Sequence, residues 1–174
     1  MKISILKETR EFENRIAVSP ETVKKLISEN HSIVIESGAG KAAYISDKSL
    51  MDTGAKIGSD LSDVNLFFKV NPPNDNELDK INDGSTIISF FQIKDELENI
   101  QKYINKKLTV FSMSHIPRTT LAQNMDALSS QSNIAGYKAV VIGADHISKY
   151  MPLLMTAAGT IQPAKVLILG AGVA

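Results

Sequence analysis

Five short apolar runs, separated by segments of helical pattern, constrain the fold of this chain more than any other feature. They cover residues 3–6, 32–36, 65–70, 86–91 and 109–113. The runs are close to continuously apolar rather than alternating. A strand of that kind expects cover on both faces, as in a mostly parallel sheet with helices on either side. Ser19-Pro20 reads as an N-cap with Pro at the first helical position, and Val23, Leu26 and Ile27 follow at helical spacing. Gly38-Ala39-Gly40 makes a turn, residues 47–53 a short helix stopped by Gly54, and Asn71-Pro72-Pro73 ends the third run. Residues 95–106 read as a helix with Leu97, Ile100, Tyr103 and Ile104 on its buried face.

The pattern changes once. From about residue 126 the chain is rich in Ala, Ser, Met and Gly and poor in strand formers. It predicts a long helix over 126–148 and a shorter one over 150–158, a break at Gln162-Pro163, and a new strand over 165–169. The expected organisation is an α/β domain over 1–125, a helical connector over 126–160, and the first strand of a second domain over 165–174. The fold class is α/β, a Rossmann-like doubly wound parallel sheet. Neither an internal repeat nor a low-complexity segment interrupts it.

Composition removes several classes of function. Nineteen Lys+Arg balance nineteen Asp+Glu, so the basic face that neutralises phosphates is missing and no nucleic-acid partner is expected. There is no Cys, hence no disulfide scaffold, thiolate nucleophile or Cys-ligated metal. His31, His115 and His146 lack ligand spacing, and no metal is expected. The apolar start is too short for a signal peptide and no run reaches the length of a membrane span, so no direct membrane insertion is expected. No Ser-His-Asp or nucleophile-elbow pattern occurs.

Three places carry chemistry. The chain closes on Val166-Leu167-Ile168-Leu169-Gly170-Ala171-Gly172-Val173-Ala174, an apolar strand running into G-x-G, the opening of a dinucleotide-binding turn. Its first Gly permits the tight turn and its second lets backbone approach a pyrophosphate. A buried strand ending in a Gly-rich turn would look the same. The second place is residues 118–133, where Gln123, Asp126, Ser129 and Ser130 fall three or four apart and would share a helix face. Arginine, amide and carboxylate together can read a carboxamide: Asp126 accepts from its NH2 and Arg118 donates to its oxygen. The alternative is a helix capped by Asp126 and Ser129 with Arg118 in a surface ion pair. The two roles are compatible. Third, Arg15 and Lys69 fall near strand ends and could converge on a carboxylate, or could be separate peripheral cations.

The segment 118–137, followed by Met155-Thr156-Ala157-Ala158-Gly159-Thr160, Pro163-Ala164-Lys165 and the Gly turn, resembles proton-translocating NAD(P) transhydrogenase. The match is to the start of the alpha subunit, its NAD(H)-binding domain I, in a superfamily that includes alanine dehydrogenase. Lys7-Glu8, Asn14-Arg15-Ile16-Ala17, Glu36-Ser37-Gly38-Ala39-Gly40, Phe68-Lys69-Val70 and Ala127-Leu128-Ser129-Ser130 extend the resemblance over essentially the whole chain.

The resemblance implies NAD(H) bound between two α/β domains and hydride transfer to NADP(H) on a separate domain, coupled to proton translocation in the complete enzyme. Arg118, Gln123 and Asp126 match the catalytic, nicotinamide-side residues. The backbone of Arg118, Thr119, Thr120 and Leu121 would run along the cofactor beside Ser129, and Gly170, Gly172 and Val173 would hold the pyrophosphate. The implied partners are a second copy in a homodimer and the membrane-embedded and NADP-binding parts. The implied location is cytoplasmic and peripheral at the inner membrane. By length the chain reads as a fragment inactive alone, with residues 165–174 mobile or paired with another copy. Two other functions compete with this one. Arg15 and Lys69 match the substrate-carboxylate ligands of alanine dehydrogenase, but Gln92-Ile93 stand where its histidine should follow Phe90-Phe91, so no imidazole takes the proton. The other is a non-catalytic assembly module.

Overall fold

The computed structural model describes residues 1–95 and 97–174. They form two compact units, Met1–Ile116 and Pro117–Ala174; residues 117–125, expected to close the first domain, belong to the second unit.

The first unit is a six-stranded parallel sheet in the order β3-β2-β1-β4-β5-β6. The strands are β1 (Lys2–Ile5), β2 (Ser32–Ile35), β3 (Lys56–Ile57), β4 (Leu66–Phe68), β5 (Thr86–Ser89) and β6 (Thr109–Ser112). Helix α1 (Pro20–Ser28) begins at Ser19, whose hydroxyl accepts from the Thr22 amide at 3.2 Å, and α2 (Asp47–Met51) begins on Ser46. Helix α3 (Asp75–Lys80) follows Pro72-Pro73, and α4 (Ile100–Asn105) precedes β6.

The pleat sorts the apolar residues onto two faces. Ile3, Ile5, Ile33 and Ile35 pack with Val23 of α1 and Leu50 of α2. Leu6, Phe67 and Ile87 pack with Leu78 of α3 and Tyr103 of α4. The chain winds from β1 out to β3, then returns to place β4 on the other side of β1. Right-handed crossovers running in opposite directions put their helices on opposite faces. The connections leaving β1 and β4 therefore part company at the carboxyl edge, where open α/β sheets form a ligand crevice.

Several sequence expectations shift. The helix expected over 95–106 is confined to α4, and its proposed buried stripe is mostly solvent-facing, with Leu97 65% and Ile104 59% exposed and Tyr103 alone inside. Strand β3 and helix α3 have no counterpart in the sequence reading. In the second unit, α5 (Ala127–His146) realises the long helix. The helix expected over 150–158 is instead an antiparallel hairpin, β7 (Leu154–Thr156) with β8 (Gly159–Ile161). Gly159 takes φ +137, and Thr156 Oγ1 accepts from the Ala158 amide at 3.2 Å. Cross-strand pairing around that turn overrides the helix preference of Ala157 and Ala158. The strand expected over 165–169 does not form, and Leu167, Ile168 and Leu169 are solvent-exposed.

Candidate functional site

The first unit holds a crevice of ≈ 480 Å³ at the carboxyl ends of β1, β4 and β5, lined among others by Glu8, Arg10, Lys69, Asn71, Glu77 and Gln92. Its floor is an ionic network buried from water. The Lys69 ammonium donates to Glu77 Oε1 at 2.9 Å and to the Lys7 carbonyl at 3.1 Å, and lies 3.6 Å from Glu8 Oε2. Glu8 in turn accepts from the Val70 amide at 2.7 Å and the Asn71 amide at 3.2 Å. Glu77 accepts from Thr9 Oγ1 at 2.9 Å and, through its other oxygen, from the Asn74 amide at 2.9 Å. Buried charge persists only when paired and hydrogen-bonded in this way.

Asn71 joins this network to a second pair. Its side-chain amide donates to Glu8 Oε2 at 3.2 Å and to Glu13 Oε2 at 2.9 Å. Glu13 receives a two-pronged contact from Arg15, Nε at 2.8 Å and Nη2 at 2.7 Å. That guanidinium, helped by Asn71 and opposed by burial, lowers the Glu13 carboxyl from 4.5 to about 2. Hydrogen bonding to Glu13 raises the Arg15 guanidinium in turn, and the Arg15 fork sits 5.9 Å from the Phe90 ring centre. Arg15 and Lys69 thus lie at one end of the sheet, linked through Glu13, Asn71 and Glu8, as their strand-end positions suggested. Their carboxylate partners escaped sequence reasoning. Only Glu77 left a local signal, because Asn74 and Glu77 form a capping box three residues apart. No histidine lines the crevice among the described residues; Gln92 does.

In the second unit, Arg118, Thr119, Thr120 and Leu121 form an exposed arch, Leu121 being 94% exposed. The arch is tied by the Thr119 amide to the Pro117 carbonyl at 2.9 Å and by the Ala122 amide to the Thr119 carbonyl at 3.1 Å. Ala122 is buried and anchors its far end. Gln123 opens a single 3-10 turn, Gln123–Met125, and is exposed. Asp126 is the N-cap of α5: its Oδ1 accepts from the Ser129 amide at 2.9 Å and its Oδ2 from the Ser129 hydroxyl at 2.5 Å. The helix starts after Asp126, so Gln123 and Asp126 do not share a helix face with Ser129 and Ser130.

The Ser129 hydroxyl and amide, with the positive charge of Arg118, hold the Asp126 carboxyl below its ordinary range. Each Asp126 oxygen spends one acceptor position on Ser129. An ionised carboxylate offers about four, so the capped side chain still has acceptor capacity for an incoming NH2. Capping and carboxamide recognition coexist at this residue. Gly170 takes φ +104, a turn that a side chain would strain. Gly172 has open space where a Cβ would stand, and Val173 is half-exposed. Without a strand over 166–169, this glycine turn is not built into a phosphate cradle among the described residues.

A family model for the alanine dehydrogenase/PNT N-terminal domain matches residues 4–135, which is most of the chain. The chain belongs to the alanine dehydrogenase/PNT family. The model for that family's C-terminal domain matches residues 139–174. Among curated relatives, an NAD(P) transhydrogenase alpha subunit of Rhodospirillum rubrum is 40% identical over 100% of this chain and 48% of its own. The NAD(P) transhydrogenase alpha subunit of Haemophilus influenzae is 38% identical over 100% of this chain and 34% of its own. Alanine dehydrogenase of Staphylococcus haemolyticus is more distant, at 27% over 99% of this chain and 47% of its own. The crystal structure of transhydrogenase from Sinorhizobium meliloti superposes with a TM-score of 0.95 at 38% identity, over 99% of this chain and 53% of that one. An L-alanine dehydrogenase structure shares the fold, at a TM-score of 0.84 and 24% identity. The chain spans about half the length of the Rhodospirillum relative, and a third of the Haemophilus one.

Proposed function

We propose that this chain supplies the nicotinamide side of an NAD(H) site in an NAD(P) transhydrogenase, passing hydride between NAD(H) here and NADP(H) on a separate domain. The observation that carries this proposal is the Arg118–Asp126–Ser129 grouping, an ionised carboxylate with unspent acceptor positions in the field of a guanidinium. The naming of the more similar relatives as transhydrogenase alpha subunits supports it.

The bound nucleotide supplies the hydride chemistry; this chain's residues orient it. Asp126 accepts from the carboxamide NH2 and Arg118 donates to the carboxamide oxygen. Two opposed contacts fix which face of the ring is presented. Ser129 keeps the carboxylate ionised and aimed. The exposed backbone of Thr119, Thr120 and Leu121 runs beside the ring, and Gln123 lies on the side where the second nucleotide approaches. Gly170, Gly172 and Val173 serve the pyrophosphate once flanked by a strand and a helix N-terminus. The partners in this proposal are a second copy of the chain and the NADP-binding and membrane-embedded parts. No helix among the described residues is long and apolar enough to cross a membrane. The proposal sets this chain on the cytoplasmic side, peripheral to the inner membrane, with proton translocation assigned to the rest of the enzyme.

Asp126→Asn in the complete enzyme tests the proposal. Asn still caps the helix but presents one carbonyl oxygen and a competing NH2. Hydride transfer, read by stopped flow, should slow about tenfold or more, the value of a single oriented contact of about 1.4 kcal/mol or above. NADH affinity, read by titration, should change much less. An unaltered transfer rate would leave Asp126 with the cap alone.

A further inference from the structure

We draw no further inference here: the strongest candidate, the apolar face of α5 carrying Ile134, Tyr137, Val140 and Ile142, is exposed along the helix, and nothing in the structure shows what covers it.

Discussion

Lys69 is the residue on which most of the first unit's polar order converges. Its side chain is 1% exposed and stands among two carboxylates and a carbonyl. Removing the ammonium leaves Glu8 and Glu77 buried without their shared cation. Lys69→Met, close in volume, should therefore cost about 3–5 kcal/mol, read as a lower urea midpoint at neutral pH. Adding Glu77→Gln to that variant should recover part of the loss. An unchanged midpoint for Lys69→Met would mean that backbone amides alone hold the two carboxylates. Glu13 gives a pH signature. Its carboxyl titrates near 4.5 when unfolded and near 2 when folded, so its contribution is complete above 4.5 and fades as pH falls toward 2. Glu13→Gln should flatten the stability profile in that window, measured by chemical unfolding across it. A variant profile parallel to the parent's would assign the acid sensitivity to other carboxylates. Sequence alone marks Lys69 and Arg15, because lysine and arginine near strand ends invite a question about anions. It does not mark Glu8, which meets Val70 from 62 positions away. Pairings over that separation leave no periodicity behind them, whereas the Asp126–Ser129 cap, three residues apart, is legible.

At the scale of elements, the parallel strands are legible because their apolar runs are nearly continuous, and α1 because Ser19-Pro20 announces it. Helix α3 is hidden by its brevity: six residues give too few turns for a hydrophobic period, and the two prolines before it read only as a break. The capping box is its true signal. Asn74 Oδ1 accepts from the Glu77 amide at 3.0 Å, Glu77 answers to the Asn74 amide, and the Asn74 side chain also donates to Thr9 Oγ1 at 2.9 Å. Asn74→Ala should lower stability by about 1–2 kcal/mol, in the upper part of the usual range for a lost cap, read as a lower urea midpoint. A smaller effect would show that Leu78 and Ile81 hold the helix in place by packing. The hairpin β7–β8 escapes the sequence for the opposite reason. Its turn residues are good helix formers, and only the φ +137 of Gly159 separates a turn from a helix there.

Across the whole molecule, both apolar clusters draw exclusively on residues before 117. A chain ending at Ile116 should accordingly melt cooperatively, with a calorimetric midpoint for the sheet domain matching that of the 174-residue chain. A clear drop would show that residues 117–174 contribute to the sheet's stability.

The place of β1 in the sheet has a consequence for how this chain is made. It leaves the ribosome first, yet it is a central strand with neighbours on both sides. Its partner on one flank, β2, follows within some thirty residues, since Ile5 pairs with Ile35. Its partner on the other flank comes later, because Ile5 also pairs with Phe68. At roughly 5–20 residues per second, that second flank stays open for several seconds of synthesis. During that interval Ile3 and Ile5 sit on a growing chain with an unpaired edge, the configuration most prone to wrong association between nascent chains. Translation speed between residues 35 and 68, and chaperone occupancy over it, therefore bear on the yield of folded protein more than the same variables do later in the chain.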